Sequence, residues 1–302
     1  MEEGRIYSTN DNWHAADIYD LNNADQLDWR CVGCDASVFP VAWDGLRKYK
    51  KSAHFKIHPR TRHENLCGIE QVETLLETGR SREIKSTDGF PDHLPSIVSF
   101  RSLTTIVPVE GEASKGGKLK SIAPTAPAGS LPSRASHRCQ TQGIRRICEI
   151  YHGFPHLRGE PLRVPGCTGE TYREIFKRLG NTEGPFRIQN KIHVVGVRYR
   201  SKMDYAQPEL RIELNAGLKT EDETRRYQVV VDWREWSERA RTLFKNFLEE
   251  KLNILQEQYQ AAVKQKAPLP SVDMYFLGEQ CAEDFLTFRV DHPQKIHLIP
   301  RL

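Results

Sequence analysis

Four residues in one short stretch constrain this chain more than anything else in it. Cys31 and Cys34 stand as C-x2-C, and His63 and Cys67 as H-x3-C, with 28 residues between the two halves. A C-x2-C turn brings two thiolates onto one ion, and an H-x3-C step places an imidazole and a third thiolate on one face of the chain. The segment between them, "DASVFPVAWDGLRKYKKSAHFKIHPRTR", holds few large hydrophobes. A segment so poor in core residues needs another source of order, and a four-coordinate metal supplies it. The spacing therefore predicts a closed, structural Zn2+ site of Cys31, Cys34, His63 and Cys67. Four protein ligands leave no open position, so the ion is expected to hold structure and not to do chemistry. His54 and His58 are rival ligands to His63. His54 and Phe55 are expected to pack under the site, and His58, ahead of Pro59, to be exposed.

The rest of the composition is permissive. The chain has 302 residues, 38% of them hydrophobic and 28% charged, enough for a buried core and more than one folded unit. Its mean hydropathy is -0.61, and no apolar run approaches the length of a bilayer span. The start, "MEEGRIYSTNDNW", lacks the basic and apolar regions of a secretory signal. Seven cysteines, an odd number unevenly spread, do not read as a disulfide scaffold. The expectation is a cytoplasmic protein with no membrane partner. The net charge of +4 permits an anionic partner without demanding one.

Along the chain the pattern divides into three, giving an α+β protein. Residues 1–85 form a small zinc-ribbon-like domain, in which "IEQVETLLETGR" has helical spacing. Residues 86–140 read as a linker. One strand is expected in "SIVSFRSLTTIVPV", and the Gly-, Ser-, Pro- and Lys-rich run that follows reads as a flexible tether. Residues 141–302 form a mixed domain. Two short helices are expected in "GIRRICEIYHGF" and "GETYREIFKRLG", the second capped by Thr168. Strands follow in "FRIQNKIHVVGVRYRSK", "ELRIELNA" and "RRYQVVVD". A long helix begins at a capping box of Asp232 and Glu235, and "VDMYFLG", "FLTFRV" and "KIHLI" supply the last strands. Three strands, a helix and more strands is the order of an OB-like barrel, here over about 186–300, with Gly196 at its bend. A sandwich of sheet and helix is the other architecture this order allows.

Two basic sets are candidates for nucleic acid. Lys50, Lys51, Lys56, Arg60 and Arg62 lie in the zinc loop beside Tyr49 and Phe55. Arg198, Arg200 and Lys202 lie on the first strand of the expected barrel. Cations neutralise phosphates and aromatic rings stack on bases. Alternation puts Arg198 and Arg200 on one face, with Tyr199 opposite. Catalytic chemistry is poorly supplied. Glu149, His152, His156 and Glu160 cluster in sequence, but Gly153 and Pro155 break the helix that would align the histidines. No acidic set with a nearby lysine forms a recognisable nuclease centre.

"CVGC", followed by a polar hairpin and "HFKIHPRTRHENLC", resembles the N-terminal zinc-binding region of the competence protein CoiA and related zinc-finger proteins of mobile elements. The resemblance covers about residues 10–70. It implies a DNA-handling context in a bacterial mobile-element or defence system. It does not extend to the nuclease-like domain of that family. The expectation is a zinc-stabilised nucleic-acid-binding protein that acts on DNA and is not an enzyme. A diverged metal-dependent DNA nuclease and a non-enzymatic subunit of a larger complex are the alternatives. In the last case the long helix, with Trp233, Trp236 and Phe247, would dock a protein partner.

Overall fold

A computed structural model describes residues 3–8, 12–15, 18, 21, 24–43, 53–64, 67, 74–79, 82, 84–85, 87, 94–100, 139–184, 187–188, 190–198, 203, 205, 207–221, 223–267 and 269–301. The architecture is α+β, with three sheets and one long helix. The tether expected over 110–138, and the part of the preceding strand expected over 101–109, lie outside the described residues.

The first sheet gathers seven strands in the order β5-β4-β3-β1-β2-β7-β6. These are β1 (Glu3–Ile6), β2 (Asn12–His14), β3 (Trp29–Arg30), β4 (Ser37–Val41), β5 (His54–Ile57), β6 (Pro95–Ser99) and β7 (Cys139–Gln142). Its first five strands pair antiparallel, and β4 and β5 form the hairpin inside the metal segment. Of the strand expected in "SIVSFRSLTTIVPV", the described start is β6, which runs parallel to β7. β7 in turn meets β2 in parallel, at Asn12 and Thr141. Described residues 74–79, within the segment of helical spacing, are helical (α1).

The remaining elements are α2 (Arg145–Gly153), α3 (Tyr172–Ile175), β8 (Phe176–Arg178), β9 (Ile192–Gly196), β10 (Glu209–Lys219), β11 (Thr224–Asp232), α4 (Glu238–Gln265), β12 (Ser271–Leu277), β13 (Glu279–Gln280), β14 (Thr287–Val290) and β15 (Ile296–Arg301). They make two four-stranded sheets, β10-β11-β14-β13 and β15-β12-β9-β8. β12 shows why the second is internal. Val272, Met274 and Phe276 alternate onto the core shared with the other sheet and α4, while Tyr275 faces the core under α2. Both faces of this sheet are therefore covered.

Val197 joins the two sheets. It leaves the end of β9 to bridge Leu214 of β10, with Gly196 at the corner as the pattern anticipates. Beyond that seam the OB expectation does not carry through. The eight strands lie in two separate ladders, β11 and β14 run parallel, and among the described residues no pairing closes a barrel.

Two helix starts differ from expectation for local reasons. Asp232 ends β11 and its carboxylate is held by Arg234, so it is not free to cap. Ser237 caps α4 instead, its Oγ accepting from Ala240 N at 3.1 Å. Thr171, not Thr168, caps α3, and that helix gives way after four residues to β8. On α4 the buried positions Ala240, Phe244, Leu248, Leu255 and Ala262 fall at helical spacing on one face. Trp233 and Trp236 are buried in the core, their indole N–H groups donating to Gln207 O and Asp291 O. They are thus core residues and unavailable as a docking surface. Phe247 packs half-buried beside them and stacks on His297. No described helix is long and apolar enough to cross a membrane.

Candidate metal centre

The four residues picked out by spacing converge. One donor atom from each of Cys31, Cys34, His63 and Cys67 lies within 4.8 Å of every other. Cys31 follows β3 directly, and Gly33 N donates to its Sγ at 3.4 Å, tightening the C-x2-C turn. Cys67 is reached through a turn in which its own N–H bonds Glu64 O. Between the two halves β4 and β5 fold back as a hairpin, and His58 N to Ser37 O closes its base. A hairpin is what lets residues so far apart in sequence share one ion.

The distances suit a tetrahedral ion. Cys31 Sγ lies 3.5 Å from Cys67 Sγ. His63 Nδ1 lies 3.4 Å from both Cys34 Sγ and Cys67 Sγ. Four ligands at the zinc distances of about 2.3 Å for sulfur and about 2.0 Å for nitrogen would sit roughly 3.5–3.8 Å apart. Cys31 Sγ and Cys67 Sγ are too far apart for a disulfide bond of about 2.05 Å, and none of the three cysteines is in a disulfide. Burial pushes the Cys31 thiol far above its ordinary range, with Cys67 and Cys34 adding to the effect. Burial also opposes ionisation of Cys34. The hydrogen bond with His63 and the backbone N–H groups of Glu64 and Ala36 outweigh it and bring that thiol down to about 7. A cation placed among such groups stabilises all three thiolates together. The set can hold a metal ion, and three sulfurs with one imidazole are the donors that soft or borderline ions take.

The rival histidines face elsewhere. In the β4–β5 ladder Val38 pairs with Ile57 and Pro40 with Phe55 on the inner side, and Phe39 pairs with Lys56 on the outer. His54 shares the outer face. His58 lies edge-on to Phe39 at 6.3 Å between ring centres and is exposed, as the following proline suggests. Of the pair expected under the site, only Phe55 goes in. Its ring sits 4.9 Å from that of Trp29. The Cα of Gly4 presses on it so closely that a methyl there would stand 2.7 Å from the ring.

The basic candidates divide. Lys56, Arg60 and Arg62 are exposed. Lys50, Lys51, Arg200 and Lys202 lie outside the described residues. Arg198 is described, but Glu213 accepts from it at 2.8 Å, so its charge is already matched. The sequence cluster of Glu149, His152, His156 and Glu160 does not assemble. His152 Nδ1 meets Tyr275 Oη at 3.1 Å, His156 Nδ1 lies 3.0 Å from Ile84 O, and Glu149 lies 3.7 Å from His297. "GCTGET" opens α3 with a side-chain cap, the role its missing lysine suggests.

Sequence reasoning missed a polar group on the α2 face of β12. Asp273 is buried there, with Arg178 of β8 and Arg301 of β15 on its Oδ2. These residues come from strands far apart in the chain, so no local motif announces them. Comparison with protein-family models, with curated proteins and with solved structures finds no match to this chain.

Proposed function

We infer that this chain is a zinc-stabilised nucleic-acid-binding protein, acting on DNA through the β4–β5 hairpin in a reducing, cytoplasmic setting. The observation that carries the reading is the pairing of the two faces of that hairpin. Its inner face packs Val38, Pro40 and Phe55, and its ends are tied by the Cys31, Cys34, His63 and Cys67 set. Its outer face presents Phe39, which is 37% exposed, opposite Lys56. His54 and His58 flank them, and Arg60 and Arg62 follow on the strand's exit. An exposed aromatic ring beside cations on a metal-braced hairpin suits a surface that meets phosphates and bases. The resemblance of residues 10–70 to the CoiA zinc region points the same way.

Zinc is the ion that best suits three thiolates and one imidazole at tetrahedral spacing, and the filled donor set makes its role structural. A nuclease reading gains nothing from the Glu149 and His152 region, whose side chains are committed to separate partners. A gel-shift series on single- and double-stranded DNA, run with and without magnesium at several salt concentrations, tests the reading. Binding that weakens steeply with salt and leaves the DNA intact is expected. The Lys56→Ala, Arg60→Ala and Arg62→Ala triple variant should flatten the salt slope by about one unit per lost phosphate contact. A parent protein with no salt-dependent affinity for DNA or RNA overturns it.

A further inference from the structure

On the α2 face of the inner sheet, two arginines share a single carboxylate, and a third arginine lies close enough to act on the same histidine, His152. Asp273 lies in the middle of β12 with its side chain 2% exposed. Arg301 donates Nε to its Oδ2 at 2.6 Å, and Arg178 donates Nη2 to the same oxygen at 3.2 Å. The two guanidinium groups are therefore neighbours, while their side chains remain 41% and 56% exposed. The third cation, Arg158, donates Nε and Nη2 to Tyr151 O, each at 3.1 Å, and lies over the Tyr151 ring at 4.3 Å, while Tyr151 stacks on Phe176 at 4.1 Å; two bonds to a neutral carbonyl hold the group in place and leave its charge unmatched. Phe176 opens β8, the strand that carries Arg178.

Behind the arginines His152 and Tyr275 share a hydrogen bond of 3.1 Å. Burial, reinforced by Arg301, Arg158 and Arg178 though opposed by Asp273, lowers the pKa of His152. Burial likewise raises that of Tyr275. Both are neutral near pH 7, so whichever way the shared proton lies, one N–H or O–H is left to donate.

One carboxylate does not neutralise three guanidinium groups. The contrast with the outer face of β10, β11 and β14 is instructive. There Arg211, Arg234 and Arg289, with Arg198 from the chain after β9, face three carboxylates, Glu209, Asp232 and Glu213, so four cations leave a single positive charge over. Among the described residues no second carboxylate pairs with Arg158, Arg178 or Arg301, and Glu149 of α2 faces His297. A buried aspartate that aims two arginines outward, beside a third arginine and a spare neutral donor, suits a tetrahedral oxyanion.

We propose that Arg178 and Arg301, aimed by Asp273, bind a phosphate group together with Arg158, held at Tyr151, and the His152–Tyr275 pair. The site is separate from the zinc hairpin and does not depend on how that hairpin is used. The phosphate comes from a free phosphorylated small molecule or from the 5′ end of a nucleic acid.

The test is calorimetric titration of the full chain with inorganic phosphate, followed by a 5′-phosphorylated oligonucleotide and its 5′-hydroxyl twin. Saturable binding of phosphate is expected. It should weaken at least tenfold in Arg178→Lys and in Arg301→Lys, which keep the charge facing Asp273 but lose the planar fork. A comparable preference for the phosphorylated oligonucleotide, erased by the same variants, assigns the site to a nucleic-acid end. Phosphate binding without that preference assigns it to a free phosphate. Absence of saturable phosphate binding in the parent overturns the proposal, as does unchanged binding in both lysine variants. Should a variant fail to fold, the parent still decides. Phosphate must slow phenylglyoxal modification of Arg178 and Arg301 selectively, and equal rates with and without it refute the site.

Discussion

His193 offers the sharpest link between one buried group and a bulk property. It sits on β9 with no exposed surface, between Phe276 and Phe288 at 5.1 and 4.8 Å between ring centres. Neither ring nitrogen has a hydrogen-bond partner among the described residues. Burial lowers its pKa to about 4 from an ordinary 6.5. The unfolded chain therefore binds a proton below pH 6.5 that the folded chain refuses until about pH 4. Stability is fully present above 6.5 and falls with pH through that window. Linkage with these two values gives a loss of about 2 kcal/mol between pH 7 and pH 5, and about 3 kcal/mol once both states are protonated. The assay is urea unfolding followed by circular dichroism at several pH values from 7.5 to 5, on the parent and on His193→Leu. The leucine variant removes the titration and a buried polar ring, so it should be at least as stable at pH 7 and should lack this part of the acid loss. Other titrating groups, the metal ligands among them, are common to both proteins and cancel in the difference. Parallel stability curves for the two proteins over that range would refute the reasoning.

Three further outcomes follow from particular contacts. Cys34→Ser, or a strong chelator, should release the bound ion and unfold the β1–β5 region while the α4 core still melts cooperatively. Metal analysis and tryptophan fluorescence check it, since Trp13 and Trp29 report the first region and Trp233 and Trp236 the second. Gly217→Ala should destabilise the β10–β11 ladder by several kcal/mol, because its methyl would stand 2.0 Å from Arg225 O, and a fall in the urea midpoint measures it. Ser237→Ala should cost about 1 kcal/mol by removing the cap on α4, read from the same unfolding curves.

How much the sequence disclosed depended on range. The metal set was legible because its donors come as two short spacings whose chemistry has few other uses. β10, β11 and β12 were legible because alternation writes the two faces of a strand into consecutive residues, as Val272, Met274 and Phe276 show. The start of α4 misled because Asp232 and Glu235 satisfy the capping pattern while Arg234 already holds the aspartate. The barrel misled because strand order does not specify which edges pair, and parallel pairing of β11 with β14 sends the ladder elsewhere. The arginine cluster was invisible for a related reason. Asp273 looks like an ordinary break in an apolar strand until the fold brings Arg178 to it from 95 residues away.

The parallel contact between β2 and β7, at Asn12 and Thr141, has a consequence during synthesis. As the chain leaves the ribosome, β1 to β5 and the donor set of Cys31, Cys34, His63 and Cys67 are all in hand once residue 67 has been made, so this region can fold first. β2 then stands as an open edge, its backbone donors and acceptors unmatched on one side, until residues 139–142 emerge. Such an edge is a template for any passing strand. In a newly made chain this N-terminal region is thus both the earliest part able to fold and the part most exposed to pairing with a neighbour on the same message. Whatever slows translation between residues 68 and 138 lengthens that exposure.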